Sequence, residues 1–166
     1  MSLSEPFDKR EGYIWYNNEI VSWADAKVHV LNHGLHYASS VFEGLRVYNG
    51  NVFKLEEHSA RLKKSAEILG FEIPYTVEQL NEYTNLIVKK QNITDGYVRP
   101  IAWLGSEKMK IYAGGNSVHL AIAAWVWPAY FAEELYKTGI KLCWADWKRP
   151  SPDTAPTASK AAGLYM

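Results

Sequence analysis

The sequence has a single cysteine, Cys143, among its 166 residues, so no internal disulfide can form. A lone cysteine is typical of proteins that work in a reducing compartment. An excess of charge of one sign is also missing, because 18 lysines and arginines balance 18 aspartates and glutamates. A balanced chain has no electrostatic basis for holding nucleic acid or anionic lipid. We therefore expect neither nucleic acid nor a membrane surface among its partners.

Long hydrophobic runs and an export signal are absent as well. No apolar run reaches the length of a membrane-spanning helix, and the N-terminal residues lack the basic-then-apolar pattern of a secretory signal. We therefore expect a cytoplasmic protein.

Several motifs of catalysis and nucleotide binding are missing too. The sequence contains no GxSxG elbow, no GxGxxG and no P-loop. His33 and His36 have the spacing of two metal ligands, but no HExxH, cysteine pair or third ligand accompanies them. We expect no metal. A bound phosphate would have to be held in another way than by these motifs, for instance by an arginine and by a helix N-terminus contributed elsewhere.

Two segments have the pattern of a β-hairpin. Residues 13–21 contain two strand-like stretches around an Asn-Asn pair, and residues 40–54 contain two around Asn49-Gly50. Asparagine and glycine tolerate the positive φ angles that a two-residue turn requires. Both segments therefore predict antiparallel strand pairs.

Alternation along the second hairpin separates its side chains into two faces. One face carries Phe42, Gly44, Arg46 and Tyr48, and the other carries Glu43, Leu45 and Val47. Arg46 is then either the one cation on an apolar floor or an exposed arginine of an edge strand. The sequence alone leaves both interpretations open.

The middle of the chain predicts two helices. Apolar residues at helical spacing run through residues 55–69 and end at Gly70, a residue typical of a helix C-terminus. A second helix is predicted to begin at Thr76, because Gln79 three residues later completes a capping box.

Three further stretches have strand character. Residues 97–104 contain Pro100, which lacks an amide donor and so predicts an edge strand or a bulge. Residues 117–127 are apolar on both faces and predict a central strand. Residues 140–147 predict another strand. The composition changes near residue 127, and we predict a small domain over residues 1–127, a linker over 128–138, and the beginning of a larger domain over 139–166.

Residues in three places are candidates for binding a ligand. Tyr97 and Arg99 lie two apart on a predicted strand, so both project from one face about 7 Å apart and suit a carboxylate. Arg61 follows Glu57 by four residues, a spacing typical of an ordinary surface ion pair on a helix. Lys160 is surrounded by alanine, serine and glycine, which give it no carboxylate partner. It is either a solvated lysine or an amine suited to attack a carbonyl.

These candidates occur in an ordered series of motifs. Residues 28–37 (VHVLNHGLHY) and 39–46 (SSVFEGLR) are followed by Glu57-His-x-x-Arg61-Leu, Tyr97-Val-Arg-Pro100, Trp127-Pro-Ala-Tyr130 and Pro156-Thr-Ala-Ser-Lys160-Ala-x-Gly163-x-Tyr165. The series closely resembles the branched-chain amino acid aminotransferases, which are fold-type IV pyridoxal-phosphate enzymes. The resemblance implies an α+β fold: the small domain, a mostly antiparallel sheet with two helices, plus the start of the large domain.

The resemblance also implies a role for each matching residue. Lys160 corresponds to the lysine that binds pyridoxal 5'-phosphate covalently and moves the substrate proton, Arg61 to the arginine that holds the cofactor phosphate, and Tyr165 to the tyrosine that hydrogen-bonds the cofactor ring oxygen. The residues implied to line the aliphatic pocket are Phe42, Gly44, Trp127 and Tyr130. Those implied to bind substrate carboxylates are Tyr37, Arg46, Tyr97 and Arg99.

The reaction implied is transamination between leucine, isoleucine or valine and 2-oxoglutarate, in a homodimer or larger homo-oligomer. In the family, the acidic partner of the cofactor ring nitrogen and the second phosphate-binding loop come well after the lysine, whereas this sequence stops at Met166. We therefore expect the 166-residue chain alone to be inactive or nearly so, and the strand around Trp144 and Trp147 to lack its sheet neighbours.

Three alternatives remain open. A D-amino acid aminotransferase or an aminodeoxychorismate lyase of the same fold would share the lysine and the phosphate-binding arginine. A binding or assembly module without catalysis would keep the small domain alone. The preferred branched-chain substrate and the direction of the pathway also stay open.

Overall fold

A computed structural model describes residues 5–127 and 131–165. Its strands are β1 (Tyr13–Tyr16), β2 (Glu19–Ser22), β3 (Ser40–Phe42), β4 (Leu45–Tyr48), β5 (Asn51–Val52), β6 (Gly96–Leu104) and β7 (Val118–Val126). Its α-helices are α1 (His33–Tyr37), α2 (Leu55–Ile68), α3 (Val77–Lys90) and α4 (Glu133–Thr138). The strands form one antiparallel sheet in the order β2-β1-β7-β6-β4-β5, and β3 pairs with β6 beside β4. The predicted α+β architecture, an antiparallel sheet with two long helices, is confirmed.

Local sequence signals account for most of these elements. Asn17, Asn18, Asn49 and Gly50 have positive φ angles at the two hairpin turns, as predicted. Thr76 caps α3 through a full capping box, because its hydroxyl accepts from the amide of Gln79 while the Gln79 side chain accepts from the amide of Thr76. Both long helices begin and end close to their predicted limits.

The main core lies between one face of the sheet and helices α2 and α3. The strands contribute residues of alternating position to this face, among them Val41, Leu45, Val47, Val98 and Ile122. Leu62 of α2 and Leu80 and Ile87 of α3 pack against them. Burial of this apolar surface is the main stabilising term for such a sheet-and-helix layer. The opposite face, which carries Phe42, Arg46 and Arg99, is not covered by these two helices.

Strand β6 lies in the middle of the sheet, so of the two positions predicted for Pro100, an edge strand or a bulge, the edge is wrong. Pro100 pairs with Ile122 of β7 on one side. On its other side the ladder is interrupted between β3 and β4, where the amide of Glu43 donates to the Pro100 carbonyl over 2.9 Å. In an antiparallel ladder, the N–H and C=O of one residue point toward the same neighbour. The backbone N–H that proline lacks would therefore point toward this interruption, so no hydrogen bond between the strands is lost.

The predicted strand over residues 140–147 is also wrong, because these residues form no strand in the described part of the chain. Trp144 is 100% and Trp147 is 93% exposed, so neither side chain packs on the sheet. A strand needs a partner for its backbone donors and acceptors, and no described strand lies beside this segment. The expected lack of sheet neighbours agrees with this exposure. The division into two domains and a linker stays a prediction, and residues 128–130 of that linker lie outside the described ranges.

None of the helices in residues 5–127 and 131–165 combines the length and hydrophobicity that crossing a bilayer requires. Within the same residues, no three histidine, cysteine, aspartate or glutamate side chains are grouped as metal ligands would be.

Candidate functional site

The backbone around Lys160 is attached to both α2 and the sheet. The amide of Lys160 donates to Ser65 Oγ over 3.0 Å, and Ser159 Oγ donates to the Ser65 carbonyl over 2.8 Å. The Lys160 carbonyl accepts from the amide of Phe42 over 3.2 Å. Ser65 and Ser159 are both buried. The C-terminal segment is therefore fixed beside β3 just where the lysine side chain begins.

The amine of Lys160 lies between two aromatic rings. Its Nζ donates to the Tyr165 hydroxyl over 2.9 Å and lies 4.7 Å from the centre of the Phe42 ring. The rings of Phe42 and Tyr165 meet edge to face at 4.9 Å. The hydrogen bond from Lys160 lowers the pKa of the Tyr165 phenol. Within the described residues, no ion pair involves Lys160, so its amine is not tied to a carboxylate.

Small residues bring the segment close to the sheet. Ala161 is buried and forms a bridge with Val41. Gly163 lies so close to Ala38 that a Cβ on the glycine would come within 2.8 Å of the alanine Cβ. The alanines and glycine around Lys160, noted in the sequence, therefore serve close packing against the sheet.

Arg61 pairs with a buried carboxylate on the neighbouring strand connection. Its Nε donates to Glu43 Oε1 over 2.5 Å and its Nη2 donates to Glu43 Oε2 over 2.8 Å. His58 Nδ1 lies 2.7 Å from Glu43 Oε2. The side chain of Glu43 is completely buried, whereas that of Arg61 is 55% exposed. The surface pair predicted between Arg61 and Glu57 does not form, because Glu57 pairs with Lys54.

The charges in this group shift each other's titration. Burial by itself raises the pKa of Glu43, but hydrogen bonds from Arg61 and His58 outweigh it and hold the pKa of this carboxyl below its usual range. The hydrogen bond to Glu43 raises the pKa of Arg61, and the Tyr165 phenol adds to this rise through its charge. Arg61 also lies near the Lys160 segment, since the Lys160 amide donates to Oγ of Ser65, which follows Arg61 by one turn of α2.

Sequence reasoning missed Glu43, His58 and Ser65 as parts of this group. One signal was available for Glu43, since the alternation of the hairpin placed a carboxylate among apolar residues on the core-facing side. A buried carboxylate requires hydrogen-bond partners of positive or polar character. No local pattern identified Ser65, because its partner is 95 residues away in the sequence.

Tyr97, Arg99 and Gly44 meet on the open face of the sheet. Arg99 Nη2 donates to the Tyr97 hydroxyl over 3.1 Å, and the Arg99 guanidinium lies 4.5 Å from the centre of the Phe42 ring. A Cβ on Gly44 would lie only 1.9 Å from the Tyr97 oxygen, so the glycine makes room for the phenol. Since Phe42 also contacts the Lys160 amine, these residues belong to the same cluster.

Arg46 and Trp127 extend this face, whereas the predicted site residue Tyr37 is not brought into it. Arg46 pairs with Tyr97 across the strands, and its Nη1 donates to the Trp127 carbonyl over 2.6 Å. The Trp127 ring lies 5.1 Å from that of Tyr97. Tyr37 contacts another part of the chain, since its hydroxyl donates to the Met109 carbonyl over 3.2 Å. Tyr130 lies outside the described residues.

A cleft of about 360 Å³ opens on the same face of the sheet. Its walls are mostly apolar and include Ile14, Ile101 and Trp103, and Arg99 contributes a cation. The Nε of Arg99 is buried and has no hydrogen-bond partner among the described residues. An apolar cleft with one incompletely paired guanidinium suits a small ligand that combines an aliphatic part with an anionic group.

The donor set fits a flat aldehyde that carries a phosphate. Lys160 offers an amine without an ion pair, Arg61 offers a half-exposed guanidinium, and Tyr165 offers a phenol next to the amine. An amine, a cation and a phenol are the groups that a carbonyl, a phosphate and a ring oxygen require. The residues present therefore fit pyridoxal phosphate.

Comparisons with known proteins identify relatives of one kind. The sequence profile of the family described as Amino-transferase class IV matches residues 40–166. A branched-chain-amino-acid aminotransferase from Pseudomonas aeruginosa is 42% identical over 161 residues, which cover 95% of this chain and 52% of the relative. The crystal structure of the Escherichia coli branched-chain amino acid aminotransferase superposes with a TM-score of 0.88 at 41% identity, covering 94% of this chain and 53% of that one.

A third relative was solved together with a molecule related to pyridoxal phosphate. The crystal structure of a T.th. branched-chain amino acid aminotransferase with pyridoxamine 5'-phosphate has a TM-score of 0.88 and 36% identity, covering 94% of this chain and 53% of that one. The chain thus spans about half the length of the relatives it matches.

Proposed function

The chain belongs to the class IV amino-transferase family, and we propose that it carries the amine anchor and the substrate-facing sheet of a pyridoxal-phosphate-dependent branched-chain amino acid aminotransferase. The proposed reaction moves an amino group between leucine, isoleucine or valine and 2-oxoglutarate, giving branched-chain 2-oxo acids and glutamate. One observation supports it above the others: the Lys160 amine, without a carboxylate partner, lies between Phe42 and Tyr165. The Lys160 backbone is bonded to Ser65, one turn of α2 beyond Arg61.

Pyridoxal phosphate, when bound, supplies an aldehyde that takes up amino groups and an aromatic ring that withdraws electrons. Lys160 would hold it through the amine, Arg61 through the phosphate and Tyr165 through the ring oxygen. Arg61 is suited to the phosphate because charge-assisted, two-point contacts of guanidinium with phosphate are strong. The named ligand of the T.th. relative, pyridoxamine 5'-phosphate, supports this choice of cofactor.

Lys160 is proposed to move the substrate proton at its Nζ. A lysine acts as a base only when its amine carries a free lone pair, and a carboxylate partner would oppose this by favouring the ammonium form. The neighbour of Nζ is instead the Tyr165 hydroxyl, 2.9 Å away. This phenol keeps the amine oriented above the Phe42 ring.

The open face of the sheet is proposed to select the substrates. Phe42, Gly44, Trp127 and Tyr130 would form the apolar wall for an aliphatic side chain. Arg46 and Arg99, with Tyr37 and Tyr97, would bind carboxylates and so admit the distal carboxylate of glutamate to the same pocket. The unpaired Nε of Arg99 supports this role, because a buried donor without a partner gains most from an anionic ligand. The partners proposed are amino acids and 2-oxo acids, in a homodimer or larger homo-oligomer.

The proposal is tested by locating the bound cofactor. Purified chain is incubated with pyridoxal phosphate, reduced with borohydride and digested, and peptide masses are compared between wild type and Lys160→Ala. We expect the phosphopyridoxyl mass on the Lys160 peptide at an occupancy well above that of other lysines. Labelling that is equal on all exposed lysines would contradict the proposal and favour a module without catalysis.

The substrate is tested separately with the labelled chain. L-leucine, D-alanine and aminodeoxychorismate are added before reduction, and protection of Lys160 from labelling is measured for each. We expect L-leucine to protect most, since it removes the cofactor aldehyde from the lysine. Protection by D-alanine alone would favour a D-amino acid aminotransferase, and protection by aminodeoxychorismate alone would favour the lyase.

A further inference from the structure

Glu43 is a charged residue in the core that the proposed reaction does not use. It lies between β3 and β4 on the face covered by α2 and α3, and its side chain is completely buried. Two oxygens of this carboxylate receive three side-chain donors, namely Nε and Nη2 of Arg61 and Nδ1 of His58, and Oε2 also accepts from the backbone amide of Gly44 over 3.3 Å. A carboxylate only accepts hydrogen bonds when ionised, so the Nδ1 of His58 carries the proton and donates.

The way in which Glu43 contacts Arg61 leaves one edge of the guanidinium available. A guanidinium has five N–H groups, and the carboxylate takes the side formed by Nε and Nη2. Arg61 Nη2 also lies 3.3 Å from His58 Nδ1, but a protonated Nδ1 cannot accept, so this contact takes up no N–H of the guanidinium. The edge formed by Nη1 and Nη2 therefore keeps three N–H groups, and more than half of the Arg61 side chain is exposed. This free edge has the two parallel donors that match two oxygens of one phosphate.

A buried carboxylate is a poor way to stabilise a core on its own. Desolvation of the charge offsets most of what the ion pair contributes, and an apolar residue of similar size is often as stable or more stable. A buried carboxylate can, however, fix the orientation of an arginine. This helps binding, because an arginine that is free to rotate loses much rotamer entropy when it binds a ligand. Glu43 removes that loss in advance for Arg61.

We propose that Glu43 is a positioning residue, which holds the Arg61 guanidinium so that its Nη1–Nη2 edge faces the phosphate of the cofactor. This inference rests on the proposed function, in which Arg61 binds that phosphate. His58 completes the arrangement by occupying Glu43 Oε2, which prevents the carboxylate from rotating toward another donor. Glu43 touches neither cofactor nor substrate in this arrangement.

The test compares two probes that differ only in the phosphate. Pyridoxamine 5'-phosphate and pyridoxamine both lack the aldehyde, so neither bonds covalently to Lys160, and the ratio of their dissociation constants isolates the phosphate contact. The ratio is measured by fluorescence titration for wild type, Glu43→Gln, Arg61→Ala and the control Glu57→Gln. Glu57 is a matched control because it is an α2 carboxylate with an ion pair of its own, to Lys54.

We expect Glu43→Gln to weaken binding of pyridoxamine 5'-phosphate about 10- to 100-fold, by analogy with the loss found when hydrogen-bond partners of metal-ligating side chains are removed. Binding of pyridoxamine and all values for Glu57→Gln should stay unchanged. If Glu43→Gln keeps the wild-type ratio of the two dissociation constants while Arg61→Ala abolishes the preference for the phosphate, the positioning role is overturned and the proposed function stays intact. A wild-type ratio in Arg61→Ala shows that Arg61 does not bind the phosphate, and overturns both.

A second variant keeps the inference testable if Glu43→Gln fails to fold. Arg61→Lys retains Glu43 and the positive charge, but one ammonium nitrogen cannot serve the carboxylate and the phosphate with two separate edges. We expect Arg61→Lys to lose the phosphate-dependent ratio as fully as Arg61→Ala does. Retention of most of the ratio by Arg61→Lys would show that charge alone suffices, and would overturn the proposal.

Discussion

The backbone amide of Lys160 donates a hydrogen bond to Oγ of Ser65, which lies on α2 one turn beyond Arg61. The proposed phosphate-binding arginine and the backbone of the proposed cofactor-binding lysine are therefore both attached to one turn of α2. The guanidinium of Arg61 projects from this turn, and the lysine backbone is attached to it. This relationship gives the first of four predictions about the site.

Ser65→Ala should reduce borohydride labelling of Lys160 by pyridoxal phosphate. The variant removes the acceptor of the partly buried Lys160 amide, which costs about 1–3 kcal/mol of folding free energy. The lysine segment is then held to residue 65 only by the bond from Ser159 Oγ to the backbone carbonyl. Ser59→Ala is the control, because Ser59 is buried on the same helix but donates to Asn81 of α3. Thermal unfolding and peptide mass spectrometry are measured for both. Equal loss of labelling in the two variants would refute a specific connection between Ser65 and Lys160.

Arg61→Ala should destabilise the fold, and adding Glu43→Gln should restore part of the loss. Without Arg61 the carboxylate of Glu43 stays buried with His58 and the backbone amide of Gly44 as its remaining donors, at a cost of about 3 kcal/mol. Replacing that carboxylate with an amide removes the buried charge, so the double variant should exceed Arg61→Ala in stability by about 1 kcal/mol. Denaturant unfolding measures both values. A double variant less stable than Arg61→Ala would contradict this account, and Glu57→Gln added to Arg61→Ala should give no gain.

Stability should fall in acid partly through Glu43. The pKa of Glu43 is lowered in the folded protein, because hydrogen bonds from Arg61 and His58 outweigh the effect of burial. The stabilisation by ionised Glu43 is therefore fully present above the ordinary glutamate pKa of about 4.3, and is lost as pH falls through the lower folded pKa.

The difference in melting temperature between wild type and Glu43→Gln should accordingly be largest near neutral pH and narrow below about pH 4. Calorimetry from pH 7 to pH 3 measures it, and Glu56→Gln, an exposed change on α2, should show little of this narrowing. A difference that widens toward low pH would exclude a lowered pKa for Glu43.

Gly44→Ala should displace Tyr97 and weaken binding of dicarboxylates. The added Cβ would meet the Tyr97 oxygen at 1.9 Å, and overpacking of this kind costs about 1–3 kcal/mol. Movement of Tyr97 also breaks its hydrogen bond from Arg99. Titration with 2-oxoglutarate should show the loss. Gly50→Ala separates this clash from backbone strain, since Gly50 has a φ of +76° and no atom near its Cβ position, and it should leave the titration unchanged.

The sheet and its two long helices could be predicted from the sequence because their signals are local. The Asn-Asn and Asn-Gly turns and the capping box at Thr76 each involve residues within four positions. The position of Pro100 could not be predicted from local pattern, because it depends on the interruption between β3 and β4 on a strand some 55 residues away. Residues 140–147 have strand composition but no strand partner in the described chain, and composition does not reveal a missing partner.

The site was predictable in part for the same reason. Alternation placed Phe42, Gly44 and Arg46 on one face, and the structure places Tyr97 and Arg99 with them. The resemblance marked Arg61 and Lys160, but the residue that pairs with Arg61 depended on tertiary contacts. The helix spacing suggested Glu57, whereas the fold provides Glu43 from the connection between β3 and β4, where burial of the carboxylate strengthens its Coulomb attraction to the guanidinium. Assignment of roles to these residues remains a prediction, which the labelling and titration experiments test.

One turn of α2 separates Arg61 from Ser65, which corresponds to a rise of about 6 Å along the helix axis. A helical turn is stiff, so its length barely changes when the packing of α2 on the sheet is altered. Substitutions in the core between the helices and the sheet, such as at Leu62 of α2 or Leu80 of α3, should therefore change how often Arg61 and the Lys160 segment are both in place, but not the interval between them. Such substitutions would then change the fraction of molecules that can bind a ligand. They would leave the selectivity among ligands of different length unchanged.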